Sequence, residues 1–127
     1  MLEFALRQKI NPRDPLAERK FYAVTQYNGY LSLRDIATWI SRESTVSLMD
    51  TMAVLEGLLQ VMPDFLLDGK IIKLGEFGSF RVSISSGGAD TEEDFDQSYI
   101  RRINIRFRPG KELQKLLSNV EYRKLDA

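Results

Sequence analysis

The spacing of the apolar residues changes abruptly at Lys70, and this most constrains what the chain can fold into. Before it, Leu48, Met52, Leu55, Leu59, Met62 and Leu66 recur at intervals of three and four, the stripe of an amphipathic helix. After it, Ile72 and Leu74 lead to Phe80, Val82 and Ile84, which alternate with Arg81, Ser83 and Ser85 as in a half-buried strand. Asp68-Gly69 stands at the switch, where glycine tolerates the left-handed conformation that ends helices. A long helix running directly into a hairpin places the chain in the α+β class.

The other elements follow from the same signals. Ser32 with Asp35, and Ser47 with Asp50, resemble capping boxes that open two helices. Leu33, Ile36, Ala37 and Ile40 mark one face of the first helix. Pro63 is expected to kink or restart the second near Met62, because proline lacks the amide donor and crowds the preceding turn. A later strand sets Ile103, Ile105 and Phe107 on one side and Arg102, Asn104, Arg106 and Arg108 on the other. Pro109-Gly110 closes it, and residues 111–120 form a last helix with Leu113, Leu116 and Leu117 inward. Between the strands, residues 86–98 are polar, acidic and glycine-containing, a loop or protruding arm. At the N-terminus, Leu2, Phe4 and Leu6 alternate with Glu3, Ala5 and Arg7, and residues 21–27 are rich in aromatic and β-branched types, so residues 1–30 read as a strand pair.

Composition excludes more than it proves. With 127 residues, 43% hydrophobic and 28% charged, the chain suits one soluble domain with a small extension. There is no cysteine and no histidine, which removes disulfides, thiolate chemistry and the commonest general base and metal ligand. With no phosphate-loop or paired-carboxylate motif either, no enzyme, cofactor or small-molecule substrate is expected. No apolar run approaches the roughly 20 residues of a membrane span, and no signal-peptide pattern opens the chain, so a cytoplasmic protein is expected. Net charge is zero, yet it is sorted along the chain. Residues 51–100 hold nine acids and three bases, whereas residues 101–127 hold eight bases and three acids. A basic surface on a neutral protein is therefore possible.

Two motifs carry a family resemblance. Gly75-Glu-Phe-Gly-Ser-Phe80 resembles the glycine-phenylalanine turn between the first strands of the HU/integration-host-factor proteins, with one added residue. Phe107-Arg-Pro-Gly-Lys-Glu-Leu113 resembles the sequence that begins their last helix. The 26 residues between Phe80 and Phe107 suit the family's two-stranded arm. The resemblance covers roughly residues 31–120, and the strand pair before it looks like the extended HU-like variants of Bacteroides-type bacteria. It implies an HU-like α+β fold in residues 31–127. Two helices pack on a three-stranded antiparallel sheet, with a protruding β-arm at about 85–99 and a C-terminal helix, and two copies form a homodimer.

What the resemblance implies for function is double-stranded DNA held without sequence specificity, in the nucleoid. Alternation gives Arg81, Arg102, Arg106 and Arg108 as candidate contacts, and the resemblance adds Arg101, Gly110, Lys111 and Lys115, with Gly75, Phe77 and Gly78 shaping the turn. Glycines let backbone amides approach a phosphate, and equally serve plain hairpin geometry. The amides that begin the last helix offer an anion site beside Lys111. The arm departs from the family. It holds Asp90, Glu92, Glu93, Asp94 and Asp96, no Lys or Arg, and no proline. Phosphates repel such an arm, so binding weaker than that of typical HU proteins is expected, without a proline wedge between base pairs. The competing reading is an HU-fold protein-interaction module that has lost DNA binding. Met49, Met52, Met62, Trp39 and Phe65 are expected to serve packing or an interface.

Overall fold

The computed structural model describes residues 1–125, with three α-helices and two three-stranded sheets. The described residues divide into two compact units, 1–31 with 116–125, and 32–115.

The first unit is built on an antiparallel hairpin of β1 (Leu2–Lys9) and β2 (Lys20–Gln26), in which Phe4 faces Thr25, Arg7 faces Tyr22 and Lys9 faces Lys20. A further strand, β6 (Tyr122–Lys124), pairs parallel to the other edge of β1, giving the order β2-β1-β6. No periodicity announces β6, since three residues are too few to show one. It is held by long-range contacts instead. Leu2 N donates to Glu121 O at 2.9 Å and Leu125 N to Phe4 O at 2.8 Å. Arg123 reaches Glu3 at 2.7 Å, and the Phe4 and Tyr122 rings meet edge-on at 6.1 Å.

In the second unit α1 (Leu33–Arg42) starts at a complete capping box: Ser32 Oγ accepts from Asp35 N at 3.1 Å while the Asp35 carboxylate accepts from Ser32 N at 3.0 Å. At α2 (Leu48–Leu67) Ser47 Oγ accepts from Asp50 N at 3.1 Å, without the return bond. Pro63, expected to kink or restart α2, lies inside one uninterrupted helix. Proline removes a single donor, and the bonds on either side carry the turn through. Along the α2 stripe Leu66 is buried and Leu48, Met52, Leu55 and Met62 are half-buried, whereas Leu59 is exposed.

The second sheet has the order β3 (Ile72–Leu74), β4 (Gly78–Ser86), β5 (Ile100–Pro109), all antiparallel. α2 touches β3 and β4. The ladder stops at Ser86 opposite Ile100, so the expected β-arm is a loop. Residues 87–99 turn on Thr91, whose Oγ1 accepts from Asp94 N, and end in a short 3-10 turn at Gln97–Tyr99. Two adjacent glycines and a run of like charges favour turns over a paired ribbon, because facing carboxylates would repel across strands. α3 (Lys111–Ser118) follows β5 directly and is two residues shorter than expected.

One chain buries very little. Among the described residues the buried apolar side chains are Ala37 and Leu66, and no large side chain is fully enclosed. Ile103 and Ile105 on β5 are 70% and 69% exposed. Trp39, Phe65 and Met49 are exposed too, as are Leu116 and Leu117, which were expected to point inward.

Candidate nucleic-acid interface

The β4–β5 register gathers the polar residues of both strands. Ser79 faces Arg108, Arg81 faces Arg106, Ser83 faces Asn104, and Ser85 faces Arg102, and alternation puts all eight on one side of the sheet. Four of the candidate arginines, 81, 102, 106 and 108, thus share a face. Arg101 does not belong to that row. Ser85 pairs with Arg102 and Ser86 with Ile100, leaving Arg101 as the extra residue of a bulge, with its guanidinium over Gly87.

Short serines separate these long cations. The contacts between them are stretched: Arg81 Nη2 to Ser79 Oγ at 3.5 Å, Arg106 Nε to Ser83 Oγ at 3.4 Å, and Asn104 Nδ2 to Ser85 Oγ at 3.4 Å. Among the described residues no carboxylate forms an ion pair with any of the five arginines or with Lys111. Lys115, by contrast, lies 3.9 Å from Glu112 one helical turn away. The arginine face therefore presents uncompensated positive charge.

The row continues onto β3. Lys73 faces Ser79, which faces Arg108, and Lys73, Ser79 and Arg108 line an open cleft with Gly110, Lys111 and Gln114. Lys73 was absent from the candidate contacts, although its place between apolar Ile72 and Leu74 puts it on the polar side by the same alternation. In the cleft lining, Gln114 Nε2 donates to Pro109 O at 3.0 Å and ties the first turn of α3 to the end of β5.

The two motifs meet in space. Gly110 N donates to Phe77 O at 2.9 Å, tying the start of α3 to the β3–β4 turn. A β-carbon on Gly110 would sit 2.0 Å from Glu76 O, and one on Gly78 would sit 2.5 Å from Arg108 O and 2.6 Å from the Phe107 ring. Both positions demand glycine for close approach. Phe107 in turn stacks against Phe77 at 5.4 Å and Phe80 at 4.8 Å. Gly75 adopts φ 55° in the turn and is exposed.

The acidic loop joins the far ends of the same two strands. Its acids are exposed and none is paired with a base. Asp96 accepts from both the hydroxyl and the amide of Ser98, and these bonds hold its carboxyl below the usual carboxylate range. Phe95 stacks on Tyr99 at 5.4 Å, so it packs within its own loop.

Comparison with known proteins agrees with this architecture. The family model HU-HIG, "HU domain fused to wHTH, Ig, or Glycine-rich motif", matches residues 1–124, which includes the N-terminal hairpin. A crystal structure described as a "Putative bacterial DNA binding protein" from Bacteroides vulgatus is similar over 98% of this chain, with a TM-score of 0.64 and 14% identity. The likeness is one of fold, and the chain spans 47% of that protein's length. Among curated proteins none matches.

Proposed function

Because the chain belongs to the HU-HIG family, we propose that it is an architectural DNA-binding protein which, as a homodimer, holds duplex DNA without sequence specificity. The observation that carries the reading is the row of Arg81, Arg102, Arg106 and Arg108 on one sheet face with no carboxylate partner among the described residues. Guanidiniums fork onto phosphate oxygens, and each neutralised phosphate releases a counterion, which supplies affinity without reading bases. Lys73 and Lys111 extend the row to the start of α3, whose free amides favour an anion. Such work belongs in the nucleoid of a cytoplasm. An HU-type family gives no ground for catalysis, and no helix among the described residues is long and apolar enough to cross a membrane.

The homodimer is supported by what one chain leaves open. Ile103 and Ile105 are as exposed as surface residues, and a second copy on that face would remove them from water. The acidic loop favours a shallow mode of binding, since it supplies no cation for the minor groove and no proline wedge. That loop also supports the second reading, a module that binds a basic protein instead. An anisotropy titration of the full chain with duplex DNA over a series of salt concentrations separates the two. A complex that weakens steeply with salt, and is lost in Arg102→Ala/Arg106→Ala/Arg108→Ala, is expected. No complex at low salt removes the DNA-binding reading, and a monomer by light scattering removes the dimer.

A further inference from the structure

Arg7, Lys9, Lys20 and Tyr22 occupy one face of the N-terminal hairpin, at the end where β1 and β2 are joined by residues 10–19. Arg7 stands opposite Tyr22, and Lys9 stands directly opposite Lys20. Like charges facing each other across an antiparallel pair destabilise it. The Lys9 ammonium lies 5.8 Å from the centre of the Tyr22 ring, which offsets part of the charge of that one lysine. Lys20 and Arg7 have no such compensation, and all three cations are exposed.

The nearby acids do not neutralise them. Glu3, on the same face, is engaged by Arg123. Glu18 shares the cleft lined by Lys9, Asn11, Lys20 and Tyr22, yet none of Arg7, Lys9 and Lys20 is ion-paired among the described residues. At the other end of the same face Ala5 and Val24 are half-buried and the charges are paired. The unpaired positive charge is thus confined to the joined end of the hairpin. It repeats the signature of the arginine face, where Arg81 stands opposite Arg106.

We propose that this end of the N-terminal sheet is a second DNA-contacting surface, in which Arg7, Lys9 and Lys20 grip the phosphate backbone of a duplex. The two lysine ammoniums are flexible, strongly hydrated point charges and the Arg7 guanidinium forks onto phosphate oxygens, so the group suits a phosphate backbone more than a pattern of base edges. The hairpin would thereby return some of the cationic contact that the acidic loop withholds. The inference rests on the reading of the chain as a DNA-binding protein, but needs none of the arginines of β4 and β5.

The test uses the full chain carrying Arg7→Gln, Lys9→Gln and Lys20→Gln together, titrated into duplex DNA by fluorescence anisotropy at several salt concentrations. Three lost phosphate contacts should lower the slope of log affinity against log salt by about 2.7. Affinity at moderate salt should fall about tenfold or more, while the melting temperature stays level or rises because the lysine repulsion is relieved. Wild-type affinity and slope in the triple variant would overturn the inference, and so would a loss of binding that accompanies a lower melting temperature. The β5 arginine variant run beside it separates the two surfaces. Binding lost in the hairpin variant but kept in the arginine variant upholds this surface and removes the other. A wild-type chain that forms no complex removes both.

Discussion

Arg81 on β4 and Arg106 on β5 are direct cross-strand partners, so two guanidiniums share one position on an open sheet face. No carboxylate among the described residues pairs with either, and the guanidiniums reach only serine hydroxyls, at 3.5 and 3.4 Å. Such a pair weakens the ladder unless a polyanion lies over it. Arg106→Gln is expected to raise stability to unfolding by a few tenths of a kcal/mol, on the order of one cross-strand charge pair. The same change should weaken duplex binding and reduce the salt slope by about 0.9. Denaturant titration and anisotropy on one preparation check both signs, and a stability loss in the free protein would mean that Arg106 serves the fold.

Gly110 joins the two motifs and tolerates no side chain. Its amide bonds to Phe77 O, and an added β-carbon would lie 2.0 Å from Glu76 O, a backbone atom that cannot swing aside. Gly110→Ala is therefore expected to cost about 2 kcal/mol or more, with the start of α3 displaced from the turn. Gly88→Ala, where nothing lies within 4 Å of the new carbon, should stay within about 0.5 kcal/mol. Urea unfolding of the two variants gives the comparison, and equal effects would remove the proposed packing role.

Much of this unit could be read from the chain, because its signals are local. Ser32 with Asp35 announces a cap, the stripe from Leu48 to Leu66 announces a helix, and Ile103, Ile105 and Phe107 announce a strand. β6 could not be read, since Tyr122–Lys124 becomes a strand only by meeting β1 more than a hundred residues earlier. At 87–99 the residues allow a loop or an arm, and the β-arm that the resemblance implies does not form, because paired glycines and repeated carboxylates oppose strand pairing. Within the site, alternation found Arg81, Arg102, Arg106 and Arg108, and would also have found Lys73. Arg101 falls outside that row by alternation as well, and was a candidate by its charge; the bulge that holds it leaves no mark in the sequence.

The capping box of α1 predicts a dependence on pH. Asp35 accepts from the backbone amide of Ser32, and from its hydroxyl in the surrounding network, which holds its carboxyl below the ordinary range. A carboxylate with a depressed folded value stabilises the native state fully above its unfolded value and loses that contribution as pH falls through the folded one. Asp35→Ala should thus be less stable than wild type near neutrality, and the gap should narrow below about pH 4. Thermal melts of both proteins from pH 7 to pH 3 test this, and a gap independent of pH would assign the effect to something other than the charge.

The acidic loop makes the sharpest demand on the proposed function, because it sits at the far end of the strands that carry the arginines. Asp90, Glu92, Glu93 and Asp94 are exposed and unpaired, whereas Asp96 is committed to Ser98. Changing the first four to Asn or Gln removes repulsion from any duplex that passes near the loop and leaves the Asp96 turn in place. If DNA lies along the arginine face toward the loop, the quadruple variant should bind several-fold more tightly at low salt. The gain should shrink as salt rises, since screening acts over about 10 Å at 0.1 M. Unchanged affinity at every salt would place the bound duplex beyond the reach of the loop. Weaker binding would mean that the loop itself takes part in the DNA complex.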